Sequence, residues 1–214
     1  MAITQLFFDL DGTLVDSFPG IAFSASAALA QILPNRNAPD LLPFIGPPIR
    51  EIFCRALQEN DPEILDRLEQ AFRASYNAEG WRKTRAYSGV EKVLAQVCES
   101  GRICRVLTNK PKQPTHAILQ YLGLDRFFGE VITPDLYLPG YSSKLEAALD
   151  AQRRHAIVSG KTLVVGDSAD DGAAAAACGF KFAAVMFGYG RVYEKCDFPV
   201  HFRLERFEDL LNIL

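Results

Sequence analysis

The sequence predicts an α/β fold: a parallel-sheet core with helices on both faces, and an all-helical module inserted after the first strand. Three observations predict it. Short apolar runs of strand length alternate with stretches of helical spacing at the start of the chain and again after about residue 86. Between residues 16 and 85 that alternation stops and only helical patterns remain. The strand-like runs also open at their carboxyl ends into glycine, small hydroxyl residues and carboxylates, where open parallel sheets bind ligands. The core is thus assigned to residues 1–15 and 86–214, and the helical module to residues 16–85.

Each element has a local reason. Ile3 to Leu10 (ITQLFFDL) is apolar, rich in β-formers and too short for a helix, which makes it a buried strand. Ile103 to Leu107, Thr162 to Val165 and Phe182 to Phe187 read the same way. In the insertion, Pro19 to Leu33 is helical with a proline in its first turn, and Pro48 to Gln58 repeats Ile49, Ile52, Phe53, Ala56 and Leu57 at helical spacing. Asp61-Pro62 is a cap-then-proline start, and Leu65, Leu68, Phe72 and Tyr76 line one face of the helix that follows. After the insertion, Ser88 and Glu91 read as a capping box for a helix closed by Gly101. A helix from Pro111 to Leu122 stops at Gly123, and another from Ser142 or Ser143 runs to about Ser159 before Gly160. The chain ends in an acidic, leucine-rich helix over 207–214.

Composition limits what the chain can do. With 214 residues, 49% hydrophobic and 23% charged, it can bury a full core. A net charge of -3 offers no basic field for nucleic acid, so an anionic ligand has to be held by a metal or a few local cations. No apolar run is long enough to span a membrane. The cysteines Cys54, Cys98, Cys104, Cys178 and Cys196 are odd in number and form no C-x-x-C pair, as expected of reduced thiols in a cytoplasmic protein. His116, His155 and His201 make no pair at helical spacing, which argues against zinc.

The chemistry gathers at three strand ends. The first strand runs into Asp9-Leu10-Asp11-Gly12-Thr13-Leu14-Val15-Asp16-Ser17, two carboxylates at i and i+2 before a glycine turn. Buried carboxylates there require a cation or hydrogen-bonding partners. The second ends in Thr108-Asn109-Lys110, and the third in Gly166-Asp167-Ser168-Ala169-Asp170-Asp171. Lys144 opens the helix between the second and third. A D-G pair alone is an ordinary turn. Three strands delivering Asp, Thr and Asp to one edge is a constellation.

In order and spacing these segments resemble the haloacid dehalogenase-like superfamily, specifically its phosphatases with a helical cap after the first motif. D-x-D-G-T-L-V-D-S resembles the first motif, T-N the second, a helix-opening lysine the third and G-D-S-x-x-D the fourth. Phe44-Ile45-Gly46-Pro47-Pro48 is similar to a recurrent cap loop, and Phe187-Gly188-Tyr189-Gly190 to a segment near the family's C-terminus. The resemblance implies a Rossmann-like core and hydrolysis of a small phosphorylated metabolite by a monomer or homodimer. It implies that Asp9 attacks phosphorus, that Asp11 protonates the leaving oxygen and then activates water, and that Thr108, Lys144 and Asn109 hold the phosphoryl group. Mg²⁺ would be bound by Asp9, the main-chain carbonyl of Asp11 and Asp167. Asp171 would orient Lys144 or the metal's waters, Thr13 would stand behind the residues that touch substrate and metal, and Gly46 and Arg50 would face the substrate from the cap. Asp11 favours phosphoryl transfer, because the dehalogenase branch lacks that carboxylate. Lys144 precedes Leu145 where the family usually has proline, so Lys110 and Lys112 remain alternatives as the phosphate-binding lysine. Asp170 stands where the family often has asparagine, its role open. The DSFPGI continuation points to a phosphoglycolate phosphatase-like branch, with nucleotide, pyrophosphate and sugar phosphate substrates open. A phosphomutase, or a non-catalytic binding protein on the same scaffold, is the rival; Thr13 stands where phosphomutases commonly carry Val or Ile.

Overall fold

The structure, a computed structural model, describes residues 2–190 and 197–214. The chain forms two compact units: one from the chain up to Asp16 and from Ala86 onward, the other Ser17–Arg85.

The inserted unit is helical: α1 (Phe18–Ile32), α2 (Ile49–Leu57) and α3 (Pro62–Ala78). Asp61 caps α3 by accepting the Glu63 amide at 2.9 Å, with Pro62 in the first turn, where its missing N–H does no harm. Leu65, Leu68, Phe72 and Tyr76 all face a core shared with Ile21, Leu29, Ile52 and Phe53. Phe72 joins the layers, edge-on to Phe53 at 6.1 Å and stacked on Tyr76 at 5.3 Å.

In the larger unit six strands form one sheet: β1 (Gln5–Phe8), β2 (Ile103–Leu107), β3 (Glu130–Ile132), β4 (Thr162–Gly166), β5 (Lys181–Val185) and β6 (Phe202–Leu204). Their order is β3-β2-β1-β4-β5-β6, and every pairing is parallel. Phe8 pairs with Val106 on one side and Val165 on the other, so β1 is central. Centrality explains its unbroken apolar run: Leu6, Phe7 and Phe8 are wholly buried. Phe7 stacks on Phe180 at 5.8 Å and belongs to the core cluster with Ala147, Ala151, Ala174 and Ala175 of α6 (Lys144–Arg154) and α7 (Ala169–Ala177). Phe8 contacts Phe207 at 6.0 Å and Phe128 at 6.2 Å. Helices α4 (Val90–Glu99) and α5 (Lys112–Tyr121) bury Val93, Leu94, Ile118 and Leu119.

The structure revises several element ends. Helix α4 is capped by Gly89 at φ 80 rather than by Ser88, and it has no side-chain cap bond. Ser143 does cap α6, accepting the Glu146 amide at 3.2 Å, but the helix ends at Arg154 instead of running to Ser159. Ala156 turns left-handed at φ 47 and delivers Ile157 to the core, which a continued helix would not do. Residues Phe207–Asn212 form a 3-10 helix rather than an α-helix. Strand β3 has only three residues, too few to show a period in the sequence. Cys104 and Cys178 are buried and Cys54 and Cys98 half-buried, all as free thiols, while Cys196 lies outside the described residues.

Candidate active site

The site begins where β1 stops. The Asp9 amide extends the ladder by donating to the Val165 carbonyl at 3.0 Å. The chain then folds back at once: Leu14 and Val15 donate to Leu10 at 3.0 Å, and Gly12 donates to Val15 at 2.9 Å. Gly12 sits at φ 82, and a Cβ there would lie 2.2 Å from Asp167 Oδ2. No other residue fits without displacing that carboxylate. The Tyr87 amide donates to Leu14 at 3.1 Å, which holds the returning chain beside the turn.

Three more strand ends converge here. After β2, the Thr108 amide donates to Ile132 at 3.1 Å, and the Thr108 hydroxyl accepts the Lys110 amide at 3.1 Å. After β4, Asp167 Oδ2 accepts the amides of Tyr189 at 2.7 Å and Gly190 at 2.9 Å from the segment beyond β5. Asp171 caps α7 together with Ser168, its Oδ2 accepting the Ser168 amide at 3.0 Å and hydroxyl at 2.6 Å. Gly166 leaves room for that carboxylate, since a Cβ there would stand 2.3 Å from Asp171 Cγ.

Lys144 ties the strand ends together. Its Nζ donates to Asp9 Oδ1 at 2.8 Å and to Asp171 Oδ1 at 2.7 Å, with a side chain only 3% exposed. Asp171 thus has both oxygens engaged, one by the lysine and one by its own helix start. Asp9, Asp167 and Asp171 bring carboxylate oxygens within 4.8 Å of one another. Burial, opposed by Lys144 and reinforced by Asp171 and Asp167, holds Asp9 well above the usual carboxylate range. Burial and the Asp171 charge push Asp167 up to about 6 against the pull of the Gly190 and Tyr189 amides. Burial alone would lower Lys144, but Asp171 and Asp9 outweigh it and keep the ammonium charged. Three buried carboxylates around one ammonium are short of positive charge, and an all-oxygen donor set of this size fits a divalent cation such as Mg²⁺.

A sequence profile of haloacid dehalogenase-like hydrolases matches residues 6–185. The chain belongs to that family. Among its relatives is a phosphoglycolate phosphatase of Nitrosococcus oceani, 29% identical over 98% of this chain and 96% of its own. The pyrophosphatase PpaX of Anoxybacillus flavithermus is 31% identical over 100% of this chain and 98% of its own. Among solved structures, the protein tyrosine kinase A of Mycobacterium tuberculosis superposes with a TM-score of 0.84 at 28% identity, covering 99% of this chain and 97% of that one.

Within this haloacid dehalogenase-like hydrolase the other singled-out residues have clear places. Asp11 is held by Lys110, whose Nζ reaches its two oxygens at 3.0 and 2.8 Å. Of the candidate lysines, it is Lys144 that contacts Asp9, and Lys110 that contacts Asp11. Lys112 contributes its amide to Asp135 at 2.8 Å. Asn109 donates to Asp170 at 3.2 Å, which gives that extra carboxylate a partner at the rim. Thr13 is fully buried, and its hydroxyl has no hydrogen-bond partner among the described residues. Gly46 and Arg50 belong to the helical unit, where Arg50 pairs with Asp66 and reaches the Pro62 carbonyl at 3.4 Å. His155 is hydrogen-bonded to Glu130 at 2.7 Å. Two features escaped the sequence reading. The S-x-x-D pattern of Ser168 and Asp171 is itself a capping signature and was legible. The amide pair gripping Asp167 was not, because backbone donors carry no residue signal.

Proposed function

We propose that this phosphatase of the haloacid dehalogenase-like hydrolases cleaves small phosphate monoesters through a phosphorylated Asp9, with a phosphoglycolate-like ester as substrate. The observation that carries the reading is Lys144, at the start of α6, bridging Asp9 and Asp171 beside Asp167, at the carboxyl ends of β1 and β4. An Asp9 oxygen attacks phosphorus and the ester P–O bond breaks. Asp11, as the acid, passes its proton to the departing oxygen. The Asp11 carboxylate then takes a proton from water, whose oxygen attacks phosphorus and releases phosphate and Asp9. Thr108, Lys144 and Asn109 hold the phosphoryl oxygens, and Asp171, saturated by Lys144 and Ser168, keeps the lysine in place. Thr13, fully buried, is part of the turn itself, its amide donating to the Leu10 carbonyl at 3.4 Å. Mg²⁺ would be held by Asp9, the Asp11 carbonyl and Asp167, and would supply charge neutralisation between two anions.

The helical unit is assigned the role of cap, with Gly46 in its loop and Arg50 reading a second anion on the ester in exchange for Asp66. The relatives named for phosphoglycolate, an ester, and for pyrophosphate, an anhydride, support a small anionic phosphate compound and leave the leaving group to be measured. The test is a panel of phosphoglycolate, pyrophosphate, nucleoside and sugar phosphates with Mg²⁺. Turnover of phosphoglycolate well above the others is expected, and no phosphate release from any ester overturns the reading. The likeness to a kinase favours one second reading, transfer to an acceptor other than water. ATP consumption dependent on an added tyrosine peptide or sugar phosphate would select it.

A further inference from the structure

We infer that Lys110 is the positioning residue for the Asp11 carboxyl group. The inference rests on the reading of Asp11 as the acid and base of both half-reactions. Lys110 is pinned at its root and at its tip. Its amide donates to the Thr108 hydroxyl at 3.1 Å, and its carbonyl accepts the Thr115 hydroxyl at 3.2 Å. Its ammonium then spans to Asp11, 99 positions away in sequence, and grips both oxygens at 3.0 and 2.8 Å. The lysine side chain is 8% exposed and that of Asp11 18%.

A carboxyl group on a turn can rotate about two bonds, and proton transfer demands one orientation. Gripping both oxygens fixes the plane of the group. The same ammonium steadies the carboxylate left behind when the proton has moved to the ester oxygen, and it is in place while that carboxylate takes the proton of the attacking water. Lys144 occupies the corresponding place beside Asp9, so the two lysines divide the site: one faces the nucleophile and the other the proton carrier. Thr108 lies between these tasks, since its hydroxyl anchors the backbone of the lysine that aims Asp11.

The experiment compares an alkyl phosphate, whose leaving oxygen needs a proton, with 4-nitrophenyl phosphate, whose leaving group needs little help. Lys110→Met should lower kcat on the alkyl ester at least about tenfold more than on the aryl ester, with little change in KM. Lys110→Arg, which keeps the charge and two donors, should recover much of the loss. Melting curves show whether each variant is folded, and Lys110→Gln repeats the comparison if the Met variant melts early. Equal losses on both esters, or a raised KM with kcat kept, would overturn the inference and make Lys110 a structural or phosphate-binding residue. Asp11→Asn separates the two levels. If it collapses the alkyl-to-aryl ratio while Lys110→Met leaves the ratio alone, only the role of Lys110 fails. If Asp11→Asn leaves the ratio intact, Asp11 is not the acid and the underlying reading fails with it.

Discussion

Asp9 and Lys144 touch each other, yet substitutions at the two should behave in opposite ways. Asp9→Asn keeps the volume and removes one of three crowded carboxylates, leaving Lys144 paired with Asp171. Activity should vanish while the melting midpoint stays within a few degrees of the parent. Turnover above a few per cent, with deamidation excluded by mass spectrometry, would remove Asp9 as nucleophile. Lys144→Met leaves Asp9 and Asp171 buried without their common cation. Breaking a buried pair from one side typically costs about 3–5 kcal/mol. Urea unfolding of the metal-free protein should show a loss of that order, and a loss below about 1 kcal/mol would mean that Lys144 is not what balances these charges. Asp9 and Asp167 stood out in the sequence because apolar strands ending in charge are unusual, whereas Lys144, at a helix start, was singled out only through the family resemblance, with Lys110 and Lys112 left open. The Lys110–Asp11 pairing was not legible, since nothing in a sequence says which of several nearby lysines reaches which carboxylate.

At the scale of elements, the strands were easier to read than the helix ends. β1, β2 and β4 are buried on both faces, so their apolar runs stand out. The start of α4 misled because Ser88 and Glu91 have capping-box spacing, whereas the bend is made by Gly89, whose φ of 80 suits glycine. The start of α7 provides a test. Ser168 holds both its helix amide and Asp171, so Ser168→Ala should cost about 0.5–2 kcal/mol as a lost cap. It should also slow turnover by loosening Asp171 behind Lys144. A stability loss with unchanged kcat would show that the cap serves the helix alone. In α2, Arg50 already has Asp66 and the Pro62 carbonyl as partners. If it also reads a substrate anion, Arg50→Ala should raise KM for phosphoglycolate more than roughly tenfold, about 1.4 kcal/mol, and barely change it for a neutral aryl phosphate. Small, equal changes on both would leave Arg50 as the partner of Asp66.

For the whole molecule, the crowding of Asp9, Asp167 and Asp171 makes stability depend on pH and on cation together. Asp167, raised to about 6, binds a proton more tightly in the folded chain than in the unfolded one. Without metal, the stability from that proton is complete below the ordinary carboxylate value near ~4 and is lost as pH rises through about 6. A divalent cation should reverse the trend, because a metal ion binds carboxylates in their ionised form. At neutral pH, Mg²⁺ at a hundred times its dissociation constant should stabilise the fold by about 2.7 kcal/mol. For a chain of this size that is a rise of roughly 5–10 °C in melting temperature. The rise should shrink on acidification below pH 6 and be lost in Asp167→Asn, and EDTA should abolish activity until Mg²⁺ is restored. Ca²⁺ should stabilise as well but support little turnover, since its larger, looser shell accepts both oxygens of a carboxylate and would occupy the one needed for attack. A melting temperature indifferent to Mg²⁺ at pH 7.5, together with full activity in chelator, would mean that Lys144 alone balances these carboxylates and that the cluster holds no metal.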